Sequence, residues 1–380
     1  MGNRFAAPLL LRALSIPAEN RMDGNVVNIA GTKKHFVILD GLRGIAALAI
    51  VIFHFMEWIF PDVSKNFIGH GFLAVDFFFC LSGFVIAYAY DDRIQKAGFT
   101  EFFKARLIRL HPLVILGSIL GLLAFFLDPY TSEAAAYGVG KLTLLFLGSM
   151  LLIPAPVMEE RGFNLFGFNA PSWSLFWEYI ANIFYALILC KINRPILIIL
   201  LILSAGTLSV VSYRTGNLLG GWAGDNFWDG GARVFYSFLA GILVFRYNLV
   251  VRNKLGFAFL AMLLMLAFIM PSTKWNWLAE LLVALIYFPL LVALGAGSAI
   301  SKRLTKPCEF SGNISYPLYM THYWAIWIFG HYYTSVKPSM GRVTLVVIGG
   351  AVFLILLAYL TMRFFDVPVR RYLSQKRLQS

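Results

Sequence analysis

Uncharged apolar stretches of nearly bilayer length recur along this chain, at Pro195–Tyr213, Leu255–Thr273, Leu281–Ser301 and Val343–Met362. A helix needs about 20 such residues to cross a hydrocarbon core. Alternating, ten-residue barrel patterning is absent, so the stretches read as membrane helices. With 59% hydrophobic and only 13% charged residues over 380 positions, the polar side chains could not cover the surface of a soluble globule. The expected fold is therefore all-α and polytopic.

Eleven apolar segments can be drawn: 38–58, 72–90, 112–128, 139–155, 172–190, 195–213, 231–247, 255–272, 277–299, 312–331 and 342–362. If all eleven crossed, the clusters Arg252/Lys254, Lys302/Arg303/Lys306 and Arg370/Arg371/Lys376/Arg377 would lie outside, against the positive-inside rule. Residues 139–155 form the best candidate for a segment that does not cross. They are the shortest, open with Gly138, Gly140 and Lys141, and close with Pro154 and Pro156. About ten transmembrane helices then remain, with one additional non-spanning or re-entrant segment and both termini cytoplasmic. Of the 32 Lys and Arg, only Lys65, Lys141, Arg161, Arg214, Arg233, Lys274, Lys337 and Arg342 fall outside on this scheme. The expected organisation is a cytoplasmic tail over 1–36, a membrane domain over 37–372 and a basic cytoplasmic tail over 373–380, in the plasma (inner) membrane. The apolar patch Ala6–Leu14 is too short for a span and lacks a cleavage site.

The excess of 32 bases over 19 acids does not point to nucleic acid, because the bases sit in short clusters between spans rather than on one soluble face. Cys80, Cys190 and Cys308 are scattered singly, which gives neither a disulfide framework nor a metal-ligand spacing.

Ionisable residues inside these spans are the informative ones, since a charge at mid-membrane costs about 2.5 kcal/mol or more. Arg43 and His54 are eleven residues apart, three turns plus about 20°, so they share one helix face with an axial offset of about 16 Å. Arg106 and Arg109, at i and i+3, make a fork for a phosphate on what reads as a short amphipathic helix at the cytoplasmic surface. Anchoring to lipid headgroups would explain that helix equally well. Asp76 and Ser82 lie among aromatics in the second segment, where Asp76 needs a partner such as a His or Arg of the first helix. Glu178 follows Trp173 within another span, and Tyr316, Tyr319 and His322 recur at i, i+3 and i+6 in a third. Ionisable groups in several spans point to a shared polar cavity.

Several of these elements occur together in order: Arg followed eleven residues later by His, Asp76-Phe-Phe-Phe-x-Leu-Ser-Gly-Phe84, Arg106-x-x-Arg109-x-x-Pro112, Trp173-Ser-Leu-x-x-Glu178, Ser315-Tyr-Pro-Leu-Tyr-x-x-His322 and a final Asp366-x-Pro368. In this the chain resembles the membrane acyltransferase-3 family of O-antigen, exopolysaccharide and antibiotic O-acyltransferases, from about residue 38 to 372. The resemblance implies transfer of an acyl group from cytosolic acyl-CoA, with acetyl-CoA the expected donor, to a hydroxyl of a cell-surface or lipid-linked carbohydrate. Arg43, His54, Arg106, Arg109, Glu178 and His322 map onto the family's functional positions. His54 is expected as general base and Arg43 as a donor-side or orienting group. Glu178 or Asp76 is expected to orient an imidazole or the acceptor, and Arg106 with Arg109 to hold the CoA phosphates. Tyr316, Tyr319 and Trp173 are expected to contact substrate. The family commonly has Glu where this chain has Asp366, which is left outside the catalytic set. The rival reading is a transporter or flippase for a glycolipid or acyl group, whose repeated halves would show as internal symmetry; none is visible.

Overall fold

A computed structural model describes residues 35–379, and among these every regular element is a helix. The first half contains α1 (Val37–Ile59), α2 (Ala74–Tyr90), α3 (Ile94–Leu127), α4 (Val139–Leu151), α5 (Ser172–Leu187), α6 (Arg194–Thr215) and α7 (Phe227–Arg246). The second half contains α8 (Gly256–Phe268), α9 (Asn276–Leu282), α10 (Phe288–Gly297), α11 (Lys302–Thr321), α12 (Tyr323–Val336), α13 (Met340–Thr361) and α14 (Val367–Gln379). The segment expected as an N-terminal tail, 1–36, lies almost wholly outside the described residues. The segment expected as a basic tail, 373–380, continues as helix in α14 as far as Gln379.

Among the described residues, seven helices are long and apolar enough to cross a membrane. Three of the ten expected spans are not among them, each for a visible reason. Helix α7 carries Asp229, Arg233 and Arg246, and α8 has only 13 residues. The expected 312–331 span is divided at His322 into α11 and α12. There Pro317 removes a backbone donor. Side chains then take the last carbonyls of α11: Thr321 Oγ1 donates to Pro317 O at 2.7 Å, and His322 Nδ1 lies 2.9 Å from Tyr319 O. Segment 139–155, expected not to cross, forms the short apolar helix α4.

Two further helices change pitch before a proline. A π-helical turn at Val283–Tyr287 joins α9 to α10 just before Pro289, and another at Met362–Asp366 joins α13 to α14 just before Pro368. Pro289 cannot bond the carbonyl of Leu285, and the Tyr236 hydroxyl donates to it instead at 2.6 Å.

Helices α2 and α7 approach so closely at Gly83 and Gly241 that neither position has room for a side chain. A Cβ on Gly83 would stand 2.0 Å from Phe238 O, and one on Gly241 2.0 Å from Cys80 O. On the periphery, α6 exposes Ile199, Ile202, Leu203 and Val210, an apolar face that suits lipid. The polar residues of interest lie on the inward faces of α1, α2, α3, α5, α7 and α11.

Candidate active site

Two cavities lie inside the bundle, and they share a wall. The larger, about 340 Å³, is lined by the cations Arg43, Arg106 and Arg109 together with Glu178, Tyr316 and Tyr319. The smaller, about 130 Å³, is lined by His54, Glu57, Trp173, Arg233 and Tyr323 among others. Val75 and Tyr319 border both. We call the two the arginine chamber and the histidine chamber.

Helices α1, α2, α3, α5 and α11 build the arginine chamber. Arg43 spans the seam between α1 and α11, donating from Nε to Ser315 Oγ at 2.9 Å and from NH2 to Gly312 O at 2.8 Å, with Asp40 Oδ1 at 3.0 Å. Arg106 donates to Glu178 Oε1 at 2.8 Å, and Ser82 Oγ donates to the same oxygen at 2.9 Å. The Arg106 Nε is buried without an acceptor. Arg109, one turn further along α3, has no ion-pair or hydrogen-bond partner among the described residues. Three guanidiniums facing one cavity that holds one carboxylate leave unmet donors and net positive charge, which suits a phosphate-bearing ligand. The Tyr316 hydroxyl does not point free into this space; it donates to Leu110 O at 2.6 Å. Arg106 and Arg109 do not sit on a separate surface helix as expected: α3 runs unbroken from Phe99 past Pro112 to Leu127, its only non-helical residue being Gly98.

The histidine chamber is built around a pair that sequence reasoning missed. His54 Nδ1 lies 2.6 Å from Glu57 Oε2, at i and i+3 on α1. A carboxylate accepts, so Nδ1 carries a proton, and in the neutral ring the lone pair is on Nε2. The ring stacks on His322 at a centroid distance of 5.5 Å and meets Tyr323 edge-on at 4.9 Å. His322 is fully buried with Nδ1 against the Tyr319 carbonyl and Nε2 without a partner. The signal for Glu57 was in the sequence: an acid one turn beyond His54, at the spacing that brings two helix side chains together.

The imidazole's carboxylate partner is therefore neither Glu178, which faces the other chamber, nor Asp76. The partner of Asp76 is not on α1 but on α7. Arg233 Nε and NH2 donate to the two Asp76 oxygens at 3.1 and 2.6 Å. The same guanidinium reaches Phe72 O, Gly220 O and Leu219 O, and stands 5.1 Å over the Trp173 ring. Arg233, expected at the outer end of the 231–247 span, is 1% exposed. Trp173, expected to contact substrate, lines the histidine chamber. Arg161, expected in an outer loop, is buried between the rings of Phe125 and Trp327. Asp366 is buried and pairs with Arg370 at 2.6 Å. No group of three or more His, Cys, Asp or Glu among the described residues could hold a metal ion.

The family model for an acyltransferase domain matches residues 36–363. Protein 2 in the picA locus of Rhizobium radiobacter is 36% identical over 163 residues, 40% of this chain and 82% of its own length. Acyltransferase MdmB of Streptomyces mycarofaciens is 33% identical over 148 residues, 37% of this chain and 36% of its own. The O-acetyltransferase OatA of Staphylococcus aureus is 26% identical over 363 residues, 88% of this chain and 57% of its own length. The chain thus matches little more than half of OatA and about a third of MdmB. No solved structure gives a significant match.

Proposed function

Because this chain belongs to the acyltransferase-3 family, we propose that it is an integral-membrane O-acyltransferase. On this reading it moves an acyl group, acetyl first, from acyl-CoA to a hydroxyl of a cell-surface or lipid-linked carbohydrate. The observation that carries the reading is the shared wall: three guanidiniums, Arg109 among them without a partner among the described residues, on one side and a His–Glu pair on the other. The arginine chamber holds phosphate groups of the donor through Arg106 and Arg109, and Arg43 orients it. Across the wall, Nε2 of His54 takes the proton of the acceptor hydroxyl, while Glu57 holds the ring and balances the imidazolium charge. The hydroxyl oxygen attacks the thioester carbonyl, the C–S bond breaks, and the proton passes to the leaving thiolate. The products are the acyl ester and free CoA.

Within the same proposal the chain crosses the plasma membrane ten times with both ends in the cytoplasm, so that donor and acceptor enter from opposite sides. A C-terminal reporter fusion that reads outside would overturn that topology.

The chemistry is tested by mass spectrometry of surface glycans from cells with and without the protein. His54→Ala is expected to lower acyl transfer by about 10²–10⁴ at an unchanged membrane level. Near-normal acylation by that variant would remove His54 from its role, and identical glycans with and without the protein would overturn the reading.

A further inference from the structure

We propose that Val75 and Tyr319 form a passage between the two chambers that selects the acyl group by length, admitting acetyl and holding back butyryl and longer chains. The proposal rests on the acyl-transfer reading above and adds to it a residue-level rule for the donor. These two side chains line both cavities, and they are only 3% and 6% exposed, so each is held almost wholly by its packed neighbours and presents a small, fixed edge to either space.

Neither can easily move aside. Val75 is β-branched and sits in the first turn of α2, where its χ1 is confined to essentially one rotamer. The Tyr319 hydroxyl lies 2.8 Å from Ser174 Oγ, whose own proton goes to Pro171 O at 2.9 Å, so the phenol is the donor. Phe78 meets the Tyr319 ring edge-on at 5.8 Å. The Tyr319 backbone carbonyl holds His322 Nδ1, which couples any shift of Tyr319 to the ring stacked on His54.

Beyond the wall, the space is about 130 Å³, close to the volume that admits a single small ring. The thioester carbon must enter it together with the acceptor hydroxyl. A methyl group fits behind that carbon; a propyl chain would compete with the acceptor or press on Val75 and Tyr319.

The test uses the full chain in membranes of its native organism, which carry their own acceptor, supplied with equimolar, differently labelled acetyl-CoA and butyryl-CoA. The ratio of the two acyl groups in the product is read by mass spectrometry. Val75→Ala is expected to raise the butyryl-to-acetyl ratio by about tenfold or more, the discrimination that one or two methylenes give in an apolar pocket. Val75→Phe should close the passage, abolishing transfer while CoA still binds. An unchanged ratio in Val75→Ala overturns the proposal, as does normal transfer by Val75→Phe. The ratio is internal to each sample, so Val75→Ala decides even if Val75→Phe fails to fold. Wild-type membranes that transfer neither group would overturn the acyl-transfer reading itself, whereas normal acetyl transfer with an indifferent ratio would overturn only the passage.

Discussion

Arg233 and Arg106 are both guanidiniums on bundle helices facing a carboxylate, yet they are built for opposite ends. Arg233 and Asp76 are 1% and 0% exposed, and all five N–H groups of the arginine find oxygen: two on Asp76 and three on the carbonyls of Phe72, Leu219 and Gly220. Arg106 and Glu178 are 16% and 18% exposed, the Arg106 Nε has no acceptor, and Arg109 beside them has no partner among the described residues. A saturated guanidinium has nothing left to offer a ligand, so its work is to tie α2, α7 and the 218–220 turn together. An unsaturated cluster is costly unless something fills it, which is why the arginine chamber is the candidate binding site. Membrane depth alone, the criterion available from sequence, does not separate the two cases.

The sharpest break would come from Arg233→Ala. Removing one partner of a buried pair strands the other, at a cost of about 3–5 kcal/mol. We expect a large drop in melting temperature in detergent and poor membrane yield. Combining Arg233→Met with Asp76→Leu should recover much of that stability, because replacing both members of a buried pair by apolar groups is often neutral or better. A single Arg233→Ala as stable as the parent would erase the contrast.

A smaller effect, of a different kind, is expected from Arg109→Gln. It should leave the melting temperature unchanged and weaken binding of CoA by about tenfold or more, the loss of one charge-assisted contact worth about 1.5–3 kcal/mol. Isothermal titration with CoA reads the affinity. Unaltered affinity would leave the arginine chamber without its proposed ligand.

The same contrast explains what could and could not be read from the sequence. Hydropathy gave seven of the ten expected spans as long apolar helices. It missed the break at His322, because that depends on side chains competing for particular backbone carbonyls rather than on apolar length. Glu178, Tyr316 and Tyr319 do meet in one cavity, as polar groups in separate spans suggested, and Arg106 and Arg109, expected on a surface helix, join them there, whereas Asp76 and His322 do not line it. The partner of Asp76 was not legible, since Arg233 lies 157 residues away and the bond exists only because α2 and α7 pack glycine to backbone. Glu57 was legible and overlooked: an i, i+3 acid beside His54 is a local signal.

Arg161 tests the comparison at its weak end, outside the candidate membrane spans. Its guanidinium lies between Phe125 and Trp327, donates to Gly167 O at 3.1 Å and reaches Glu133 at only 3.5 Å. It is thus buried like Arg233 but less fully satisfied. The Glu133 carboxyl is held below its ordinary range, chiefly by its hydrogen bond with His331 and further by the Arg161 charge, against the opposing effect of burial. A carboxyl depressed in the folded state adds stability above its unfolded pKa of about 4.3, and that stability is lost as pH falls through the folded value. Melting temperature should therefore decline on acidification from about pH 5 downward, and Glu133→Gln should remove part of the decline. For a partly exposed pair we expect the difference to be worth no more than about 1 kcal/mol at neutral pH. Parallel acid profiles for the two proteins would show that the Glu133 carboxylate adds nothing to the rings and the Gly167 carbonyl that hold Arg161. A loss at neutral pH as large as that of Arg233→Ala would mean that burial, rather than the number of satisfied donors, decides which guanidinium carries the fold.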